Sequence, residues 1–375
     1  MKLIVLKENL KNSLAVVERA IGGEGVGLPI LKCISLEAAH NTTTLTATNL
    51  EIAAMSFLSG KIIEGGRIVI PHNLLSSIIN NLNTERLNLE LHGHTLTLTT
   101  DNYHAEIQGV QGEEFPLIPE VKGENEQIKI KGEFLKGVLH QILFSTQYST
   151  LRTELNAVSF HFSLNEIVIA STDSFRLSEK TIPQNQFTHT FQNLFTILIP
   201  LKTIQELTRI IKDEEMVVVK KDQNQILFMT PSFQLISRLL QGNFPDYRNI
   251  FPKDFERVFD VEVLVGREEL ASALKLVGVL SGATSEVRIK VPGGKKTIEV
   301  YSTHQSLGGN TYTLPAKIKG ASLETGFNWR YLTDGLRALT TNEVFLGINE
   351  HNKPSLLKSP QDASYFYVLM PILNA

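Results

Sequence analysis

The chain has 375 residues, 42% of them hydrophobic and 20% charged, and a formal net charge of −3; its mean hydropathy is close to zero. This is an ordinary globular composition, and it excludes a disordered chain, a bundle of membrane spans and a protein that holds nucleic acid by bulk positive charge. At roughly 150 residues per domain the length suggests two or three domains, and a single cysteine, Cys33, excludes an intramolecular disulfide framework.

In chain order, residues 2–6 read as a strand, followed by Glu8-Asn9-Leu10 and a helix with apolar positions 10, 14, 17 and 21. The same unit returns at Gln127-Ile128-Lys129-Ile130-Lys131, whose helix carries apolar residues at 135, 138, 139, 142 and 143. It returns again at residues 261–265, with apolar positions 270, 274, 277 and 280. Leu10, Leu135 and Leu270 therefore correspond, and the period is that of a repeated domain, since solenoid repeats run about 20 to 50 residues.

A second strand-helix unit lies midway in each repeat. Residues 67–71, ending in Pro71, lead into Leu75, Ile78, Ile79 and Leu82; residues 196–200, ending in Pro200, lead into Ile204, Leu207, Ile210 and Ile211. Proline at a helix start is harmless, because that N–H has no partner within the helix. The third copy is blurred: residues 324–328 lead into Tyr331, Leu332, Leu336 and Leu339. Three domains of two half-units each follow, with limits at 1–122, 123–254 and 255–375. Two Phe-Pro pairs, at Phe115 and Phe244, close the first and second domains.

Between these units the glycine-rich residues 22–29 leave a helix and enter a strand expected at 30–38, so they form a connector and not a phosphate cradle. Cys33 falls in that strand and is expected to be buried. Residues 87–110 alternate as a meander with one buried face. His92 and His94 sit at its first turn, without a clustered third ligand, and read as a polar turn. Ser171-Thr172-Asp173-Ser174-Phe175-Arg176-Leu177 brings serine, aspartate and arginine together, but no histidine adjoins them, and Ala47-Thr48-Asn49-Leu50-Glu51 repeats the segment in the first domain. A structural turn is the simpler reading. Gly293-Gly294-Lys295-Lys296 runs into a strand and reads as a hairpin turn. Nothing here amounts to a catalytic site, a metal site or a cofactor site.

Within the six helices Lys11, Arg19, Lys136, Lys202, Arg209, Lys212, Lys275, Arg330 and Arg337 sit in the helix bodies, whereas Glu8, Glu133, Glu268 and Glu269 occupy first turns, where carboxylates suit the dipole. Taken alone, these bases read as solvated helix faces. The longest apolar run, residues 194–201, is far below the roughly 18 residues of a spanning helix, and residues 1–6 are too short for a signal peptide, so a cytoplasmic protein is expected.

Leu28-Pro29-Ile30-Leu31, Ala47-Thr48-Asn49-Leu50-Glu51, Glu154-Leu155-Asn156, residues 171–177, Gly242-Asn243-Phe244-Pro245-Asp246-Tyr247 and Tyr367-Val368-Leu369-Met370-Pro371-Ile372 stand in an order and spacing that resemble the sliding clamp, the beta subunit of the bacterial replicative DNA polymerase. The resemblance covers essentially the whole chain. It implies an α+β fold of three repeated clamp-type domains, each two helices packed on antiparallel sheets, in a head-to-tail dimeric ring. It implies a DNA polymerase processivity factor without enzymatic activity or cofactor, whose ring encircles duplex DNA without sequence preference, and an ATP-driven clamp loader. A pocket receiving peptide motifs from the polymerase and other clients would use Leu155, Thr172, Phe175, Arg176, Leu177, Pro245, Val368, Met370, Pro371 and Ile372. Arg152, Lys202 and Arg209 would face DNA. Ala105 and Ile107 would meet Val279 and Leu280 of a second copy. The chain departs from the family at Ser174-Phe175, where Gly-His is common, and at Glu24, near a position where an arginine often touches DNA. A clamp-fold peptide-binding scaffold that does not encircle DNA is the alternative reading.

Overall fold

The computed structural model describes residues 1–23, 27–110, 114–121, 126–249, 259–350 and 353–372. Glu24 and both expected domain limits, at 122/123 and 254/255, lie outside the described residues. Six α-helices are described: α1 (Lys7–Val17), α2 (His72–Asn81), α3 (Gly132–Leu143), α4 (Leu201–Ile210), α5 (Arg267–Gly278) and α6 (Trp329–Ala338). Each follows a strand directly, as the repeat requires. Pro71 precedes the first helical residue of α2, and in α6 the Asn328 side chain caps the helix by accepting the Arg330 N–H at 3.0 Å.

The chain divides into two compact units. Unit 1 holds residues 1–134, 187–191 and 205–239; unit 2 holds residues 135–186, 192–204 and 240–375. Unit 1 contains two antiparallel sheets. One runs in the order β5 (Gly60–Glu64), β1 (Lys2–Leu6), β7 (Arg86–His92), β8 (Thr95–Thr99), β9 (His104–Gln108). The other runs β14 (Phe187–His189), β10 (Gln127–Lys131), β16 (Met216–Lys221), β17 (Gln225–Met229), β18 (Phe233–Arg238), β4 (Ile52–Leu58), β3 (Thr42–Thr48), β2 (Cys33–Ala39), β6 (Gly66–Pro71). Unit 2 holds one sheet in the order β15 (Phe195–Pro200), β11 (Ala157–Phe162), β12 (Glu166–Thr172), β13 (Arg176–Pro183), β26 (Tyr365–Leu369), β25 (Ser355–Lys358), β24 (Glu343–Ile348), β19 (Val261–Gly266), β22 (Gly308–Gly320), β21 (Thr297–His304), β20 (Glu286–Val291), β23 (Leu323–Asn328).

These strands fall into three copies of one sequence of elements: β1–β9 with α1 and α2, β10–β18 with α3 and α4, β19–β26 with α5 and α6. In the third copy the single long β22 replaces two strands: its first half pairs with β21 and its last five residues pair with β19. The two compact units cut the middle copy because strand pairing crosses between copies. β18 pairs with β4 inside unit 1, and β13 pairs with β26 inside unit 2. Hydrogen-bonded ladders, and not the repeat boundaries, therefore define the compact bodies.

The sequence pattern is answered by burial. Leu10, Leu14 and Val17 of α1 and Leu75 and Ile79 of α2 are buried, as are Leu270, Leu274 and Val277 of α5 and Leu332 and Leu336 of α6. Each such side chain contributes about 1.5–3 kcal/mol. Close approach of α5 and α6 requires Gly278, where a Cβ would lie 2.6 Å from the Trp329 ring. One expectation changes: residues 29–32 form a short 3-10 turn, so the strand starts only at Cys33, and Cys33 is half-buried at its first position. The turn at 49–51 joins β3 to β4, as its likeness to residues 171–177 implies.

One position of the repeat is filled three ways. The first residue of the second helix is His72 in α2, Leu201 in α4 and Trp329 in α6. His72 is 7% exposed, hydrogen-bonds the Leu14 carbonyl, and leaves Nε2 without a partner. Burial lowers its pKa, with Arg19 acting in the same sense and Glu18 and the Leu14 bond opposing. The unfolded chain therefore takes up this proton before the folded one does. Its stabilisation is whole above the unfolded pKa of about 6.5 and is lost as the pH falls through the folded value. The urea midpoint should drop between pH 7.5 and 5.5 by more in the wild type than in His72→Gln; equal drops would remove His72 from the acid sensitivity.

Candidate functional site

The site expected at residues 172–177 is a turn whose backbone is held by two side chains. Thr172 Oγ1 accepts the Ser174 N–H at 3.1 Å and donates to the Arg176 carbonyl at 2.7 Å. Asp173 Oδ1 accepts the N–H groups of Phe175 at 2.9 Å and Arg176 at 3.0 Å. Ser174 stands at φ +80°, a region L-residues seldom enter. In the first copy Thr48, Asn49 and Leu50 build the same turn: Thr48 Oγ1 accepts from Leu50 and donates to the Ile52 carbonyl, Asn49 Oδ1 accepts from Glu51 and Ile52, and Leu50 lies at φ +74°. The structural reading of Asp173 and Ser174 therefore has a direct geometric basis.

The copies differ in charge. Asn49 is an amide and Ile52 apolar, whereas Asp173 is an acid and Arg176 a base, both buried. Arg176, 8% exposed, donates from Nε to Asp173 Oδ2 at 2.8 Å and from Nη1 to Asp334 Oδ2 at 2.6 Å. Its guanidinium carbon lies 4.2 Å from the centre of the Tyr331 ring. Burial opposes the charge, but Tyr367, Asp334 and Asp173 outweigh it and raise the Arg176 pKa. Asp334 Oδ1 also faces Arg337 at 3.5 Å.

Around this turn the remaining pocket candidates come together in unit 2. Leu177 stands opposite Val368 in the β13–β26 ladder, and both pack with Leu356 in a small cluster walled by Tyr247, Phe259, Phe345 and Phe366. The Met370 N–H donates to the Phe175 carbonyl at 2.8 Å, and the Ile372 N–H to the Gly326 carbonyl at 2.8 Å. Pro371 and Leu155 are buried; Met370, Ile372 and Pro245 are half-buried. The Pro245 carbonyl accepts the Tyr247 N–H at 2.8 Å, and the Tyr247 hydroxyl donates to Glu179. Burial and Glu179 push that phenol above its ordinary range. Phe175 is 60% exposed, so the turn presents an aromatic ring to solvent beside an apolar floor.

The DNA-facing candidates are less uniform. Arg152 is exposed but donates to the Ser174 hydroxyl at 2.7 Å and faces Glu154 at 3.8 Å. Arg209 is exposed, with Nη1 3.0 Å from both Glu206 oxygens, and Glu206 also meets Arg19 at 3.7 Å. Lys202 is half-buried in the first turn of α4. α2 carries no Asp, Glu, Lys or Arg, so the positive lean belongs to the other helices. Of the interface candidates, Val279 is 72% exposed, Leu280 and Ala105 are half-buried, and Ile107 is 4% exposed with its side chain inside unit 1. Ile107 packs into its own sheet, and β9 is the edge strand of that sheet.

Sequence reading missed Asp334, Tyr331 and Tyr247. One signal was available: the repeat puts Arg176 where the first copy buries Ile52, and a buried cation demands a carboxylate.

Solved sliding clamps share this architecture. The chain superposes on the DNA polymerase sliding clamp of Bacillus subtilis with a TM-score of 0.92 at 23% identity, and on a DnaN sliding clamp of Pseudomonas aeruginosa bound to griselimycin with a TM-score of 0.92 at 22% identity, each over 100% of both chains. Beta sliding clamps of Synechococcus elongatus, 27% identical over 99% of both chains, and Staphylococcus aureus, 29% identical over 92% of both, are similar in sequence. The sequence matches the N-terminal, central and C-terminal domains of the DNA polymerase III beta subunit at residues 1–119, 129–246 and 248–373. The fold class is that of the sliding clamps, three α+β clamp domains in one chain. The chain belongs to the DNA polymerase III beta subunit family.

Removing Asp173 takes one of two carboxylates from a buried guanidinium and strands two backbone N–H groups, whereas removing Asn49 strands N–H groups alone. Asp173→Ala should cost about 3–5 kcal/mol in urea unfolding and Asn49→Ala only about 1–2 kcal/mol; equal losses would mean that the ion pair adds nothing.

Proposed function

We propose that the protein is a non-catalytic processivity factor: two chains close head to tail around duplex DNA and tether the replicative polymerase and other clients through the site at residues 172–177 and 368–372. Its three domains, 1–122, 123–254 and 255–375, are the copies of the repeat. The observation that carries this reading is an arithmetic of strand edges. Two equivalent junctions are made within the chain, β4 with β18 and β13 with β26. The third equivalent pair is β22 with β9, and among the described residues neither the outer edge of β9 nor the edge of β22 opposite β21 along residues 308–315 has a strand partner. Unpaired edges invite another chain. A second copy supplies the missing strand to each.

The register follows from the repeat. Val110, Leu240 and Ile372 occupy one position, bonded to Val69, Leu198 and Gly326. Four residues earlier, Ile236 faces Ala53 and Val368 faces Leu177. Ala53, Leu177 and Gly309 stand opposite Thr48, Thr172 and Thr303. Glu106 of one copy therefore meets Gly309 of the other, and Ala105 meets Asn310. Asn310 holds the end of α5 by donating to the Leu276 carbonyl at 3.1 Å and leaves its buried Oδ1 without a partner. Exposed Leu307 immediately precedes that edge, exposed Tyr312 lies on it, and exposed Leu276, whose carbonyl Asn310 holds, adds apolar surface beside it.

A closed protein ring retains DNA by topology, so its phosphate contacts need only be few and sequence-blind, which a net charge of −3 allows. Arg152, Lys202 and Arg209 supply them, with an ATP-driven loader opening the ring in the cytoplasm. No described helix is long and apolar enough to cross a membrane. The client site takes short peptide motifs on apolar anchors, and we assign to it griselimycin, to which a P. aeruginosa clamp is bound. Loaded on nicked circular DNA, the protein should stay bound through gel filtration in high salt, and linearising the circle should release it. Equal, salt-labile binding to circles and linear DNA would favour a scaffold that lies on DNA without surrounding it.

A further inference from the structure

At the equivalent places of α4 and α6 stand Glu206 and Asp334, each six residues into its helix and each followed three residues later by an arginine, Arg209 or Arg337. The two acids do different work. Glu206 faces Arg19 and Arg209, and the turn at residues 48–52 carries Ile52 where the later turn carries Arg176. Asp334 reaches Arg176, 158 residues away in sequence. The extra ion pair is therefore not a requirement of the repeated fold, because the first junction forms the same turn and the same cross-strand ladder without it. It occurs at the junction whose turn carries the exposed Phe175.

Its contacts form a closed circuit. Arg176 Nη1 meets Asp334 on α6, and the Arg176 guanidinium covers the Tyr331 ring one turn earlier on that helix. The Tyr331 carbonyl accepts the Tyr367 hydroxyl at 2.9 Å, which ties α6 to β26. β26 continues to Met370, whose N–H returns to the Phe175 carbonyl. The circuit thus joins the turn and β26, two walls of the client site, through one helix. A guanidinium is planar and donates in fixed directions, so partners on Nε and Nη1 with a ring against its face leave it one orientation. We infer that Asp334, supported by Tyr331, is the positioning residue of the client site, holding Arg176 and with it the turn at residues 173–176 in the binding conformation. This rests on the client-site reading proposed above.

The test is a titration with griselimycin. Wild-type binding is expected; a wild-type chain that does not bind would overturn the client-site reading itself, and this inference with it. With binding established, Asp334→Asn should weaken affinity about tenfold and Asp334→Glu, which keeps the carboxylate, by less than about threefold. Arg176→Lys should also weaken it about tenfold, since an ammonium does not satisfy the two carboxylates in the same geometry. In the Arg176→Lys background Asp334→Asn should cost nothing further, because both act through one contact. A merely structural role would lower the unfolding midpoint without that non-additivity. If Asp334→Asn does not fold, Tyr331→Leu keeps every charge paired and should still weaken binding, about threefold. Wild-type affinity in Asp334→Asn or Tyr331→Leu, or additive losses in the double variant, would overturn the inference while leaving the client site standing.

Discussion

A β-strand has two edges, and each row of N–H and C=O groups must find a partner or remain a template for one. The structure is organised by this constraint more than by any local preference. Three copies of a strand-helix repeat offer three equivalent donor edges and three equivalent acceptor edges, and among the described residues the single chain satisfies two of these pairs, β4 with β18 and β13 with β26. The same pairings fuse neighbouring copies so firmly that the middle copy is shared between the compact units. In the proposed assembly, dimerisation is completion of that ladder by a second copy.

Charge is handled by the same economy. Acidic residues in the first turns of α1, α3 and α5 face the helix dipoles, while Glu206 and Asp334 hold arginines that would otherwise be free on the helix bodies. A clamp that slides needs weak contacts, and arginines already paired with carboxylates bind phosphate more weakly than free ones. The buried Arg176 network works the other way. There Arg176 and Asp173 are buried and the guanidinium is paired with two carboxylates, which fixes the geometry of the turn at residues 172–177.

Much of this was legible in the sequence, for physical reasons. Leu10, Leu135 and Leu270 mark the repeat because a buried helix face must recur with its strand, and residues 127–131 alternate because one face of that sheet is covered. The turn at 171–177 was recognisable as structure from its counterpart at 47–51, and Gly293-Gly294 proved to be a hairpin turn with Gly294 at φ +73°. What stayed hidden depends on neighbours remote in sequence. Asp334 sits among helix residues with an arginine three positions on, which reads as a local surface pair, and nothing linear connects it to Arg176. The side on which Ile107 lies was hidden too, because alternation in β9 gives two faces without saying which one its own sheet covers.

In the proposed ring, β9 of one copy completes β22 of another in a fixed register. Antiparallel partners lie about 4.5–5.5 Å apart at Cα, within the reach of a disulfide. In a Cys33→Ser background, chains carrying Ala105→Cys should be mixed with chains carrying Asn310→Cys and oxidised. A covalent species of two chains is expected in the mixture and none from either variant alone. A mixture that stays uncrosslinked, while the chain still folds, would contradict that register.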